Sequence, residues 1–267
     1  MKIGYLQYAV IQRDREANLN YIEERLKNKT FDLVVLPELF TSGYAFDTKE
    51  EILPFVENIE DSPTINRLTK IANQARGYIV GTIPELSNNK IYNTAITVGP
   101  EGLISTFRKI HITDYEQPIF SAGSSIEVCK CNTTCIGTMI CFDCWFPPLS
   151  SKLRQLGAQI ICHPSCFGGE VTPTIIPIRA LENQCFIISC NRIGEELFDG
   201  VLESYRGESQ IVNPDGKVLI QADNKEQLVF IEIDLTEVNN PKFGSYISSD
   251  FQAEHQKYGI QLIETDK

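Results

Sequence analysis

Phe31-Asp32-Leu33-Val34-Val35-Leu36-Pro37-Glu38 is the stretch that decides how this chain is read. From Leu33 to Leu36 apolar residues follow one another without alternation, and Pro37 stops the run. A strand with one wet face alternates polar and apolar residues; a strand with no polar face is covered on both sides. Phe31–Leu36 therefore predicts a strand sandwiched between layers. Its flanks supply the covering elements. Upstream, Lys2–Val10 reads as a mostly apolar strand. Asp14–Lys29 reads as a helix capped by Asp14, with Ala17, Tyr21, Ile22 and Leu26 on one face. Downstream, Ser62–Arg76 reads as a second helix with Ile65, Leu68, Ile71 and Ala72 inward. Strands follow at Tyr78–Ile83, Tyr92–Val98 and Leu103–Phe107, the last entered through the turn Gly99-Pro100-Glu101-Gly102.

The second half repeats this alternation with a different sequence. Thr134–Ile140 reads as a strand, Pro147–Leu156 as a helix opened by proline, and Gln159–Cys162 as a strand. Pro177–Cys185 reads as a helix and Phe186–Cys190 as a strand. Closing strands are expected at Glu208–Val212, Val218–Gln221 and Leu228–Ile233, with Asn213-Pro214-Asp215-Gly216 as a turn. No linker, repeat or low-complexity segment interrupts the pattern. The expectation is one α/β domain over residues 1–267, helices outside, with a polar tail at about 240–267 that packs or reaches to a partner.

Composition narrows the function classes. The chain has 267 residues, 42% hydrophobic and 22% charged, an ordinary globular balance able to bury a large core without staples. A net charge of −11, with no Lys/Arg run longer than two, argues against nucleic acid or an anionic membrane as a partner. No apolar stretch reaches the 18 residues needed to cross a bilayer. Met1-Lys2-Ile3-Gly4-Tyr5-Leu6-Gln7 lacks the apolar core of an export signal, so a cytoplasmic location with reduced thiols is expected.

All nine cysteines fall between Cys129 and Cys190. Reduced surroundings disfavour a disulfide framework. Cys129-x-Cys131-x-x-x-Cys135 and Cys162-x-x-x-Cys166 lack the paired knuckles of structural zinc sites, and Cys129 and Cys131 share one strand face as small apolar fillers. No metal and no cofactor are expected. Cys141-x-x-Cys144 raises a thiol-redox role, but the chain lacks a thioredoxin-sized setting. Serine-elbow, phosphate-loop, dinucleotide and zinc-protease motifs are absent. The three histidines, His111, His163 and His255, leave little material for a cysteine–histidine dyad, and His111 reads as structural.

Chemistry concentrates at three strand ends. Functional groups gather beyond the carboxyl ends of strands in α/β sheets, and Glu38, Lys109 and Cys141 each sit at such an end. A thiol beside a carboxylate has a base for its proton, and a nearby ammonium stabilises an oxyanion. Together the three suit acyl transfer on an amide.

Here the chain resembles the nitrilase superfamily of carbon–nitrogen hydrolases, over nearly its whole length. Leu36-Pro37-Glu38-Leu39-Phe40-Thr41-Ser42-Gly43-Tyr44 is similar to the family's P-E-x-x-x-x-G-Y segment with the general base. Phe107-Arg108-Lys109-Ile110-His111-Ile112 is similar to its Y-R-K-x-H-L segment with the catalytic lysine. Gly137-Thr138-Met139-Ile140-Cys141-Phe142-Asp143 is similar to its nucleophile elbow, and Arg179-Ala180-Leu181-Glu182-Asn183 to its R-A-x-E-N helix. The resemblance adds a second glutamate: Glu116 occupies the expected place, with Asp114 the competing carboxylate.

The resemblance implies a four-layer α-β-β-α sandwich, assembled as a homodimer or higher homo-oligomer. It implies an amidase acting on a small linear amide, an ω-amide or an N-carbamoyl compound through a cysteine thioester, releasing ammonia or amine. Glu38, Lys109, Cys141 and Glu116 would be catalytic, with Tyr44, Phe142, Trp145 and His163 around the substrate and His163 near the pocket entrance. Nitrile hydrolysis is the main alternative, although dedicated nitrilases continue the elbow as C-W-E. A vestigial binding module is another. Trp145 and Pro148 depart from the elbow's usual C-Y-D-x-R-F-P-E, which bears on the substrate and not on the nucleophile. Arg179 and Glu182 are expected to pair, with each other or across an interface. Cys144, three residues from the nucleophile, predicts a 141–144 disulfide under oxidation.

Overall fold

Leu33, Val34 and Val35 form a strand whose side chains alternate between two apolar cores rather than between core and water. Leu33 and Val35 join Ile3, Tyr5 and Val80 on one face; Val34 joins Leu6 and Ile79 on the other. The structure, a computed structural model, describes residues 1–239; the tail expected at about 240–267 lies outside the described residues.

In chain order the strands are β1 (Lys2–Gln7), β2 (Leu33–Val35), β3 (Tyr78–Ser87), β4 (Lys90–Gly99), β5 (Gly102–Arg108), β6 (Val128–Cys131), β7 (Thr134–Thr138), β8 (Ile160–Pro164), β9 (Phe186–Cys190), β10 (Ile193–Phe198), β11 (Val201–Arg206), β12 (Gln210–Val212), β13 (Val218–Gln221) and β14 (Gln227–Glu232). The helices are α1 (Arg15–Leu26), the single-turn α2 (Lys49–Ile52), α3 (Pro63–Ala75), α4 (Pro147–Gln155) and α5 (Thr172–Asn183).

Two six-stranded sheets result, ordered β14-β1-β2-β3-β4-β5 and β13-β12-β9-β8-β7-β6. Each has three parallel strands at its centre and antiparallel strands at its edges. Ile3, Leu33 and Tyr78 stand in register across the first centre, and Ile136, Ile160 and Phe186 across the second. Between the sheets Tyr5, Leu33 and Val35 meet Ile160, Phe186 and Ile188. Leu19 and Ile22 of α1 and Leu68 and Ile71 of α3 cover the outer face of the first sheet. Leu153 of α4 and Ile176 and Ala180 of α5 cover Ile161 and Ile187 of the second. The order is helix, sheet, sheet, helix, a four-layer sandwich.

The helix expected at Pro177–Cys185 begins earlier, at Thr172, and carries Pro177 in its interior. Proline has no N–H to offer the carbonyl four residues before it. That carbonyl, of Pro173, instead accepts the side-chain amide of Gln210 at 2.8 Å. A partner from another element thus licenses a helix that local rules end. Two tight hairpins also go beyond the sequence reading. Asn88 and Asn89 at φ 50° and 59° close β3 onto β4, and Asp199 and Gly200 at 45° and 73° close β10 onto β11. Both loops place two residues in the left-handed region, as a turn matched to strand twist requires.

The sheet-to-sheet core sets an energetic expectation. Phe186 is fully buried between the sheets, and truncating such a ring removes its transfer free energy and leaves a cavity. Phe186→Ala is expected to cost about 3–5 kcal/mol, read from the shift in a urea unfolding midpoint at unchanged slope.

Candidate active site

The carboxyl ends of β2, β7 and β8 come together with the end of β5. Glu38 follows β2 through Leu36 and Pro37, and its side chain is fully buried. Lys109 follows β5 and is buried as well. Its Nζ donates to Glu38 Oε1 at 2.8 Å and to Glu116 Oε1 at 2.7 Å. Glu38 Oε1 also accepts the Asn93 side-chain amide at 2.7 Å, and Glu116 Oε2 accepts the N–H of Thr113 at 2.9 Å. Asp114, the competing carboxylate, is exposed and pairs with Gln117. Burial works to lower the pKa of Lys109, but the two carboxylates outweigh it and hold the ammonium charged, above its ordinary range. Two carboxylates around one ammonium leave a formal charge of −1 beneath the site.

Cys141 opens a turn, Cys141–Trp145, separated from the end of β7 by two residues. Its φ of +42° is one that a residue with a Cβ adopts at a cost, and it points the chain sharply away from the strand. Three contacts hold that turn. The buried carboxylate of Asp143 accepts the N–H of Ile140 at 3.0 Å and that of His111 at 2.9 Å, and contacts His111 Nδ1 at 2.8 Å. The His111 ring stacks on Phe146 with centroids 3.8 Å apart. Arg179 Nε donates to the carbonyl of Cys144 at 2.8 Å, while its guanidinium pairs with Glu182. The R-A-L-E-N helix thus grips the far end of the turn.

His163 is the third holder, and its position corrects an expectation. It does not stand at a pocket entrance. It lies in the central strand β8, fully buried, with Nε2 at 2.9 Å from the carbonyl of Cys141 and Nδ1 at 2.9 Å from the hydroxyl of Ser189. A carbonyl can only accept, so Nε2 carries the proton and Nδ1 accepts from Ser189. Burial pushes the imidazole pKa down to about 4. The ring is therefore neutral at pH 7 and serves as a strut under the carbonyl of Cys141.

Above these residues opens a cavity of about 400 Å³. Lys109, Cys141 and Cys166 face it from below, and Tyr44, Phe142 and Trp145 line its walls. Trp145 Nε1 donates to Thr172 at 3.2 Å, which ties that wall to α5. The β10–β11 hairpin adds Phe198, Glu203 and Tyr205 at the mouth, where Phe198 meets Tyr115 edge to face at 5.6 Å. Glu196 of β10 accepts the N–H groups of Tyr44 and Ala45 at 2.9 and 2.8 Å and pairs with buried Arg192. A Cβ on Gly43, at φ 79°, would run into that carboxylate. The glycine of the P-E-x-x-x-x-G-Y segment is thus needed for close approach of the hairpin.

The cysteines sort differently from their spacing. Cys144 is fully buried among Met139, Ile140, Leu149 and Leu153, and burial raises its pKa well above the usual thiol range. It does not face the cavity. Cys166, which follows β8 as Glu38 follows β2, does face it, and its thiol donates to Glu38 Oε2 at 2.8 Å. The second thiol beside Cys141 is therefore Cys166 and not Cys144. The same strand-end rule that selected Glu38 and Cys141 applies to it.

The sequence signature of the family described as Carbon-nitrogen hydrolase matches residues 2–242. A protein of Pyrococcus abyssi named nitrilase is 34% identical over 263 residues, covering 97% of this chain and 98% of the relative. An omega-amidase of Saccharomyces cerevisiae is 30% identical over 258 residues, covering 88% of this chain and 87% of the relative. A crystal structure of a carbon–nitrogen hydrolase from Helicobacter pylori superimposes with a TM-score of 0.82 at 24% identity, covering 89% of this chain and 90% of that one, and so shares its fold.

The buried histidine makes a pH-dependent stability signature. With a folded pKa near 4 against an ordinary 6.5, the unfolded chain binds the proton more readily, so this contribution is present above about pH 6.5 and lost as pH falls toward 4. The stability difference between the wild type and His163→Asn is expected to shrink by about 3 kcal/mol from pH 7 to pH 4, measured by urea unfolding at each pH. A pH-independent difference would refute the buried neutral imidazole.

Proposed function

The chain belongs to the carbon–nitrogen hydrolase family, and from that premise we propose a cysteine-dependent amidase that cleaves a small neutral amide through a thioester. One observation carries this reading. A carboxylate oxygen of Glu38 and the Cys141 thiol lie within 4.8 Å of one another, beside an ammonium held by two carboxylates, and Cys141 and Lys109 line the cavity. Glu38 takes the thiol proton as Cys141 attacks the amide carbon. Lys109 and the N–H of Phe142 stabilise the tetrahedral oxyanion. Glu116, bonded to Lys109 and to the Thr113 backbone, holds the ammonium in place. Glu38 then protonates the leaving ammonia or amine and activates the water that releases the acid. The covalent step needs no other group.

The cavity's charges support a neutral substrate over an ω-amide of a dicarboxylic acid. Among the described residues lining it, Lys109 is the basic side chain, and both of its near neighbours are carboxylates. The remaining walls are largely aromatic, and the charged group at the mouth is the acid Glu203. A substrate carboxylate would be desolvated opposite Glu203 without an unpaired cation. An N-carbamoyl group also fits this lining. Nitrile hydrolysis remains the second reading because the Pyrococcus abyssi relative carries that name.

Ammonia release is measured across neutral amides, ω-amides with a free carboxylate, N-carbamoyl amines and nitriles. Neutral amides are expected to give the highest kcat/KM. Glu203→Gln should raise relative activity on carboxylate-bearing amides about fivefold, the effect of about 1 kcal/mol of exposed repulsion. Glu38→Gln should lower kcat about 10²–10⁴-fold. Cys141→Ala should abolish turnover together with the acyl adduct seen by mass spectrometry after acid quench. Turnover that survives Cys141→Ala would overturn the mechanism, and a preference for carboxylate-bearing amides would overturn the substrate class.

A further inference from the structure

Cys166 has no part in the hydrolysis described above, yet its thiol sits at the nucleophile. The Glu38 carboxylate, the Cys141 Sγ and the Cys166 Sγ all lie within 4.8 Å of one another, and no other group of three such ligands occurs among the described residues. We propose that these three groups form a binding site for a thiophilic divalent cation, with zinc as its type, whose occupancy blocks the nucleophile.

The donor set is two sulfurs and one oxygen, the chemistry that zinc takes in tetrahedral sites. With Zn–S near 2.3 Å and Zn–O near 2.1 Å, neighbouring ligands of a tetrahedral ion stand about 3.5–3.8 Å apart, which these atoms reach by sub-ångström to ångström shifts. The carboxylate is already divided between two tasks. Glu38 Oε1 is committed to Lys109 and Asn93, whereas Oε2 points to Cys166, which donates to it. Oε2 can exchange that thiol proton for the cation while Lys109 keeps its ion pairs. Both sulfurs face the cavity, which supplies an entry path and room for water as the fourth ligand. Binding forms two Zn–S bonds and one Zn–O bond and releases the two thiol protons to solvent, with no change of oxidation state.

Backbone support comes from both sides. Cys141 is fixed by the Asp143 and His163 contacts, and Cys166 lies between Ser165, whose N–H bonds the Cys190 carbonyl, and Phe167, whose N–H bonds Asn191. Two thiols held on rigid strand ends lose little freedom on sharing an ion. Cys144, although closer in sequence, is sealed in the apolar layer and offers no ligand to the cavity.

The full chain, reduced and stripped with a chelator, is titrated with Zn²⁺, with Co²⁺ as the spectroscopic probe and Mg²⁺ as the hard-ion control. The expected result is one Zn²⁺ per chain, inhibition that a chelator reverses, and thiolate-to-cobalt charge-transfer absorption of two sulfurs. Mg²⁺ should do nothing. Cys166→Ala and Cys166→Ser, the latter keeping the volume and a donor toward Glu38, should each weaken Zn²⁺ binding at least about a hundredfold and halve the charge-transfer intensity. Cys144→Ser should leave both unchanged. Zinc affinity unaltered in both Cys166 variants, or cobalt spectra without thiolate coordination, would overturn the site. Because binding and spectra are read without turnover, they stand apart from any failure of the amidase reading.

Discussion

Everything at this site depends on one buried ammonium. Lys109 is out of contact with water and would be costly to bury alone; two carboxylates, each anchored by a further donor, make its charge tolerable. The arrangement is cooperative in a strict sense, since removing either glutamate leaves the lysine with one partner in a low-dielectric setting. It also fixes distances between three chain segments, at residues 38, 109 and 116. Such rigidity suits the proposed roles of base and oxyanion donor, because neither group has to reorganise when charge develops.

The scaffold around the triad holds backbone rather than chemistry. Asp143 ties the turn of Cys141 to the segment carrying Lys109, and His163 supports the carbonyl of Cys141 from the neighbouring strand. Arg179 takes the carbonyl at the end of the same turn from α5. A left-handed Cys141 is a strained choice, and three independent polar contacts over-determine it. These residues lie in the same motifs as Cys141, Lys109 and Glu38 because the backbone that carries those groups has to be fixed.

The cysteine window separates into roles by burial. Cys162 and Cys190 fill the core between the sheets, and Cys144 and Cys185 the layer between the second sheet and its helices. Small, weakly polar side chains suit the close approach of parallel strands and helices. Cys141 and Cys166 differ in lying three and two residues beyond strand ends, where the sheet stops and the cavity begins. Position along the strand, not spacing between cysteines, divides filler from reactive group.

Residue patterns alone gave an α/β domain with outer helices and the places where its strands end; the four-layer order came with the family resemblance. Apolar runs at Leu33–Leu36 and Phe186–Ile188 leave no face for water, so covering layers were expected, and Glu38, Lys109 and Cys141 were legible because each sits just past the end of an expected strand. What crosses between distant segments was decided only by the tertiary structure. The Asp199-Gly200 turn signal was present in the sequence, but that its hairpin reaches Tyr44 through Glu196 was not, since that contact spans about 150 residues. Helix α5 passes through Pro177 because Gln210, far along the chain, satisfies the carbonyl that proline cannot. His163 lies under the Cys141 carbonyl and Cys166 beside its thiol for the same reason. Periodicity reports which face of an element is buried, whereas the partner it meets there depends on how the layers close.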